Sequence, residues 1–176
     1  MKRWSARLVL LIFFYTFSFE SFAQTNDSLL NQLSRKWLHA KIYVLKMAAS
    51  MPAENFSFKP VVEVMSFQEQ LLHIADNMRW LSATHHFFDT AKQVKAGRTM
   101  DKKEVLDYVA AAYDQALVSH HHISSAQLNE PVLFFAGPMT RRQILLLMHD
   151  HQTHHAGELI LYLRLKGIKP PAYVGW

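Results

Sequence analysis

The chain contains no cysteine among its 176 residues. Disulfides, cysteine-ligated zinc, iron–sulfur clusters, a thiol nucleophile and attachment of a lipid to cysteine are therefore excluded. Charge of one sign is also scarce, since 19 basic and 14 acidic residues leave a net charge of +5. Half of the residues are apolar, so the composition indicates a folded domain with a buried core rather than a disordered chain.

The small basic excess does not indicate a nucleic-acid partner. Three basic residues and one acidic residue lie within 1–23, so the remainder of the chain carries 16 basic and 13 acidic residues. These charges are spread without a run of one sign, whereas a phosphate-binding surface clusters its basic residues. We therefore expect no nucleic-acid partner.

The apolar run at the N-terminus is short. Residues 1–23 combine three basic residues with an apolar stretch from Leu8 to Phe19 and small residues at the end, which is the pattern of a secretory signal peptide. The alternative is a membrane anchor, but a membrane span needs about 20 apolar residues. We expect cleavage between Ala23 and Gln24, an exported (periplasmic or secreted) protein with no stable membrane anchor, and one domain over 24–176.

Prolines are few, and their positions divide the mature chain. All six lie within 52–60, 131–138 and 170–171, and proline breaks helix interiors. The segments between them repeat apolar residues at i, i+3 and i+4, without an Asn-Gly or Asp-Gly hairpin signal. The predicted helices lie near 28–48, 66–95, 101–126 and 140–166. The fold class is therefore all-α, a four-helix bundle with long connections between helices 1 and 2 and between helices 3 and 4.

Start and stop signals agree with these boundaries. Three pairs have the capping-box spacing, in which a capping side chain and a residue three positions later satisfy each other's backbone N–H groups. The pairs are Ser66–Glu69, Asp101–Glu104 and Thr140–Gln143. Gly167 follows the last apolar-periodic segment, where a left-handed residue ends a helix. Positions 132–135 predict a short extended piece in the third connection.

Helix 4 carries two histidines on one face. His151 and His155 fall within its apolar stripe, with Glu158 at the edge. Imidazoles at i and i+4 lie one above the other and are placed to share a metal ion. The alternative is a pair of core histidines bonded to neighbouring carbonyl groups. The spacing alone leaves both interpretations open.

His73 on helix 2 is the natural third ligand. It lies off the centre of the apolar stripe and shares a mixed face with Gln70, Asn77 and Trp80, as expected where a helix borders a cleft. The alternative is a surface histidine beside an exposed tryptophan. With the pair on helix 4, His73 would complete a three-histidine site with an open position, the arrangement that a catalytic zinc-type metal needs.

The other histidines favour structural roles. His120–His122 are consecutive, so their side chains diverge, and we expect them to solvate the end of helix 3. His149 is predicted to project away from the core. His154 neighbours both candidate ligands, and we assign it, together with Asn77, to supporting contacts around the metal.

The sequence around the candidate ligands resembles a known family. The run His151-Gln-Thr-His-His-Ala-Gly-Glu-Leu, followed by Tyr162-Leu-Arg-Leu-Lys-Gly-Ile-Lys-Pro-Pro, resembles the last helix of the DinB-like (damage-inducible) family, which often shows His-Glu-x-His-His-Arg-Gly-Gln. Segments starting at Leu45 and Ser66 also fit, so the resemblance covers 28–171. It implies an up-down-down-up bundle and no DNA contact.

The resemblance also implies a metal and a class of reaction. A divalent ion, zinc or nickel, would be held by His73, His151 and His155. Known relatives include thiol-dependent S-transferases and an isomerase that uses a low-molecular-weight thiol. We therefore expect a metal-dependent enzyme of transferase type acting on a small molecule. Glu158, one turn beyond His155, is its candidate catalytic proton acceptor.

Three neighbouring positions depart from the family pattern. Gln152 stands where the family often has Glu, Ala156 where it often has Arg, and Glu158 where it often has Gln. Such neighbours orient ligands or substrate, so the activity does not transfer automatically. The sequence leaves open a metal-dependent hydrolase, a metal- or ligand-binding module without turnover, a metal that only joins two helices, and a homodimer.

Overall fold

The structure is a computed structural model, and it describes residues 29–84 and 100–175. Four helices dominate the described residues. Helix α1 covers 29–50, α2 is Phe67–Thr84, α3 is Lys102–His122 and α4 is Arg141–Leu165. The predicted signal peptide and the predicted end of helix 2 over 85–95 lie outside the described residues. The up-down-down-up arrangement stays a prediction.

The predicted capping boxes begin three of these helices. At α2, the Ser66 backbone N–H donates to Glu69 Oε2 at 2.6 Å, and the Glu69 N–H donates to Ser66 Oγ at 3.2 Å. Helices α3 and α4 start with the same reciprocal bonds around Asp101 and Thr140. Each box satisfies N–H groups that a helix start otherwise leaves without partners.

The end of α4 also follows the prediction. Gly167 has a φ of +71°, which places it in the left-handed region where glycine is favoured. Its N–H donates to the Arg164 carbonyl at 2.9 Å, and the Ile168 N–H donates to the Leu163 carbonyl at 2.8 Å. These two bonds form a Schellman motif, which ends the helix at this glycine.

Helix α3 is shorter than predicted, ending at His122 rather than near 126. Ile123 adopts an extended conformation and buries its side chain. The Ser124 N–H donates to Gln127 Oε1 at 2.9 Å. This bond lies at the start of a 3-10 turn over Gln127–Asn129. The side chain of Gln127 thus stabilises a local alternative to a continued helix.

The extended piece predicted at 132–135 is one strand of a hairpin. Strand β1 (Pro131–Phe134) pairs antiparallel with β2 (Gly137–Thr140). The partner strand was not predicted, because the connecting turn lacks the usual Asn-Gly or Asp-Gly pair. Gly137 has a φ of +118°, a conformation that side chains rarely adopt, and it allows the turn to close.

The core lies between the helices. Helix α2 packs against both α3 and α4, and Trp37 of α1 is buried with its indole N–H donating to the Tyr113 carbonyl at 3.1 Å. None of the helices within the described residues is long and apolar enough to span a membrane. Trp37 also packs against His149 of α4, so α4 is covered by α2 on one side and by α1 on another.

Candidate metal centre

The three predicted ligands meet between α2 and α4. His73, His151 and His155 each place a ring nitrogen within 4.8 Å of the others. The Nε2 atoms of His73 and His151 are 3.1 Å apart, and the three ring centroids are separated by 4.5–4.8 Å. The tertiary structure therefore brings together side chains that are 78 residues apart in sequence.

Local structure explains this meeting. The i, i+4 spacing on α4 stacks His151 and His155 on one face. The hydroxyl of Tyr162, at the end of that helix, donates to the Met65 carbonyl at 2.7 Å. This bond holds the start of α2 against α4. His73 lies within the second turn of α2, and its ring approaches the histidine pair.

The structure adds Gln70 to the site. The sequence pattern placed this residue only on the mixed face of helix 2. Its side chain is buried at 1% exposure and connects Glu158 to His155. The Gln70 Nε2 group donates to Glu158 Oε2, since a carboxylate only accepts. Gln70 Oε1 therefore faces His155 Nδ1 at 2.6 Å and accepts a hydrogen bond from its N–H.

This chain of bonds determines which nitrogen of His155 can bind a metal. With Nδ1 protonated, the lone pair of the neutral ring lies on Nε2. Metal-ligating histidines commonly donate their other ring N–H to an acceptor that fixes tautomer and orientation. The sequence does show a glutamine three residues before His73. No neighbouring residue in the sequence indicated that the side chain of this glutamine would contact α4.

The other predicted site residues lie around this chain. Glu158 Oε1 is 3.3 Å from Nε2 of the exposed His154, so the carboxylate contacts Gln70 on one side and His154 on the other. Asn77 lies one turn beyond His73 on α2, and its Oδ1 is buried without a hydrogen-bond partner among the described residues. Supporting contacts from Asn77 to the ligands stay a prediction, as does the catalytic role of Glu158.

Burial changes the protonation of the ligands on α4. Burial, together with the neighbouring His155 and His73, lowers the pKa of His151 to about 4. Burial likewise lowers the pKa of His155 to about 4, with His73 adding to the effect and Glu158 opposing it. Neutral imidazole is the metal-binding form. Both rings therefore stay ready to bind well below the ordinary histidine pKa of about 6.5.

The residues present fit a divalent transition metal. The donor set is three imidazoles, which suits zinc, nickel or copper better than magnesium or calcium. Nitrogens bound at 2.0–2.1 Å in a tetrahedral site are about 3.3 Å apart, close to the 3.1 Å between the Nε2 atoms of His73 and His151. His155 is buried, whereas His73 and His151 are more exposed, so these two ligands lie on the solvent side of the site.

Two histidines that were expected at the surface are buried instead. His149 is 6% exposed and His120 is 4% exposed, so the prediction that His149 projects away from the core is wrong. So is the expectation that His120 solvates the end of helix 3. Both rings pack against Trp37, with centroid distances of 5.9 and 5.3 Å. A helical projection assigned one buried face to α4, whereas α1 and α3 cover the other side.

Comparison with known proteins identifies the family. A model of the DinB family matches residues 18–175. The chain belongs to the DinB family. Its DinB-type relatives include the uncharacterised Bacillus subtilis protein YjoA, which is 26% identical over 145 residues, covering 78% of this chain and 90% of YjoA.

Two solved structures of DinB-like proteins share the fold. The crystal structure of B. subtilis YjoA matches with a TM-score of 0.68 at 19% identity, covering 82% of this chain and 99% of that chain. A DinB-like protein from Bacillus cereus matches with a TM-score of 0.71 at 17% identity, covering 81% and 95%. At these identities the likeness establishes the architecture alone.

Proposed function

We propose that His73, His151 and His155 bind one divalent metal ion, zinc or nickel, in a metal-dependent enzyme of transferase type that acts on a small molecule. The observation that carries the proposal is the convergence of the three rings. The tautomer of His155 adds to it, because Gln70 and Glu158 leave its lone pair on Nε2.

The chemistry follows from the charge of this donor set. A divalent ion bound by three neutral imidazoles keeps its full charge and supplies Lewis-acid activation of an oxygen or sulfur of the substrate. Gln70 and Glu158 hold His155 in place and need not reorganise during the reaction. His154 is exposed and lies 3.3 Å from Glu158, so this pair can exchange a proton with solvent at the edge of the site.

The family resemblance favours a transferase over a hydrolase. A thiol-conjugation panel and an ester panel, each run with zinc- and nickel-loaded protein, test it directly. We expect turnover in the first panel that chelation abolishes and reloading restores. Turnover only of esters would replace transferase by hydrolase. Metal binding without turnover in either panel would contradict the enzyme and support a binding module.

Export is part of the proposal and has its own test. The pattern of basic, apolar and small residues over 1–23 supports it. N-terminal sequencing of the protein recovered outside the cytoplasm should give a chain that begins at or near Gln24. An intact Met1 on membrane-bound protein would contradict it. Metal analysis of the same material gives the identity and stoichiometry of the ion acquired in that compartment.

A further inference from the structure

A cavity lies on the side of α4 away from the three ligands. It measures about 290 Å³ and is lined by residues of α1, of α4 and of the C-terminal segment 173–175. Gln152 and Ala156 line it and directly follow His151 and His155 in sequence. Since successive residues turn about 100° around a helix, the cavity and the histidine triad face different directions.

Gly157, in the interior of α4, is one of the residues that line this cavity. Glycine destabilises a helix interior relative to alanine, so its presence there calls for a reason. Its backbone is helical, and a Cβ added at this position would meet nothing within 4 Å. Neither backbone conformation nor close packing therefore requires glycine. Gly157 is exposed and lines the cavity, and the position where its Cβ would lie is open space.

Hydrogen-bonded side chains form the polar end of the cavity. Gln152 is 3% exposed. Its Oε1 accepts from the Tyr113 hydroxyl at 2.9 Å, and its Nε2 donates to Thr153 Oγ1 at 2.7 Å. The Thr153 hydroxyl in turn donates to the His149 carbonyl at 2.9 Å. An amide carries two N–H donors, so Gln152 retains one for a ligand oxygen.

The rest of the lining defines the size and charge of a ligand. Tyr43, Ile160 and Val174 form apolar walls, while Lys36 and Asp150 contribute one charge of each sign. With one charge of each sign, the lining carries no net charge. A cavity of about 290 Å³ is small for a ligand-binding site. It therefore suits a small ligand with a compact apolar part and one polar group.

We propose that this cavity is a binding site for a small neutral alcohol with a compact apolar body, separate from the metal centre. The apolar body lies against Tyr43, Ile160 and Val174. The hydroxyl oxygen accepts from the amide of Gln152. The proposal rests on the cavity, on Gly157 and on the buried amide, and it stands whether or not the histidine triad binds a metal.

Benzyl alcohol is the probe, with benzoate and benzylamine as charged analogues of similar shape. The titration uses chelator-treated full-length protein, so that no probe can bind through a metal ion. We expect millimolar binding of benzyl alcohol, with NMR shifts at the methyl groups of Ile160 and Val174 and at the amide of Gly157. Both charged analogues should bind at least about tenfold more weakly, since a lining with no net charge does not offset the cost of desolvating a charged ligand.

Gly157→Leu and Gly157→Ala are a matched pair of variants. Both substitutions favour the helix, but only leucine fills the cavity. We expect Gly157→Leu to weaken benzyl alcohol binding at least about tenfold and Gly157→Ala to bind within about threefold of wild type. Thermal unfolding of each variant verifies that it is folded. If the leucine variant does not fold, Gln152→Leu replaces it with the same expected loss.

Three outcomes would overturn the proposal. The first is equal binding by wild type and the cavity-filling variant. The second is the absence of shifts at the cavity residues at benzyl alcohol concentrations of about 50 mM, far above the millimolar range that corresponds to about 4 kcal/mol of binding free energy. The third is tighter binding of benzoate or benzylamine than of benzyl alcohol, which would refute the neutral ligand class.

Discussion

Helix α4 presents buried histidines on two sides, and the two sides differ in what their ring nitrogens meet. Toward α2, His155 donates from Nδ1 to Gln70 at 2.6 Å, and the Nε2 atoms of His151 and His73 approach to 3.1 Å. Toward α1 and α3, His149 and His120 pack against the ring of Trp37. Both nitrogens of His120 and Nε2 of His149 have no hydrogen-bond partner among the described residues.

The comparison shows which properties identify a metal centre in this protein. Burial lowers the pKa of His120, His149, His151 and His155 alike to about 4. Burial and a lowered pKa are therefore common to both sides of the helix. The triad alone has three converging nitrogens and an amide that fixes a tautomer. Convergence and orientation, rather than burial, mark the candidate site.

The largest expected effect comes from His155→Ala. Removing one of three ligands should abolish most metal binding, measured as metal content after mild chelation and reloading. Chelation should lower the Tm of wild type, because a metal bound only by the folded state stabilises it, and should leave the variant nearly unchanged.

The control for this experiment is His122→Ala, on the exposed end of α3, which should retain one equivalent of metal. Equal metal content in wild type and His155→Ala would reject the site. Normal binding by His73→Ala would reject the three-ligand geometry and leave only the pair on α4.

A smaller loss of metal binding is expected when His155 is kept but the bond that orients its ring is removed. Gln70→Leu removes the acceptor for His155 Nδ1 and leaves Glu158 without its amide partner. Metal affinity, measured by competition with a chelator, should fall about 10- to 100-fold, as is typical for residues that orient ligands.

Glu158→Gln tests the same chain of bonds conservatively. A glutamine at this position still accepts from Gln70, so we expect a smaller loss of affinity than in Gln70→Leu. Wild-type affinity in Gln70→Leu would show that the bond from Gln70 to His155 has no part in metal binding.

On the other side of α4, removing a histidine should stabilise the protein. His120→Leu replaces a buried ring that has two unpartnered nitrogens by an apolar side chain. An unsatisfied buried polar group costs about 1–3 kcal/mol, so the free energy of unfolding in urea should rise by about 1 kcal/mol at neutral pH. The exposed neighbour His121 provides the control, since His121→Leu should give no such gain. A loss of stability in His120→Leu would show that its contact with Trp37 outweighs the missing hydrogen bonds.

The smallest expected effect is a difference in acid sensitivity. Burial lowers the pKa of His120 from 6.5 to about 4. Between these values the unfolded chain binds more protons than the folded chain, so the free energy of unfolding falls as the pH falls, and this contribution is complete above about 6.5. In chelator-treated protein, His120→Leu should therefore lose less stability than wild type between pH 6.5 and about 4. Parallel stability profiles would contradict burial of a neutral ring at this position.

The predicted local structure was largely confirmed where the structure describes it. Three capping boxes and the glycine at 167 were predictable because each depends on residues within a few positions of one another. Helix 3 was predicted too long because the turn that Gln127 stabilises competes with the helix over the same residues. The hairpin partner was missed because Gly137, rather than an Asn-Gly turn, allows it to form.

The sequence by itself determined the helices, their caps and the stacking of His151 with His155, because helical periodicity and capping are local properties. Only the tertiary structure decided that Gln70 lies between Glu158 and His155, 88 and 85 residues away. It also decided that His149 and His120 are buried against Trp37. Both outcomes depend on how whole helices are placed against one another, and the pattern of a single helix does not contain the position of its neighbours.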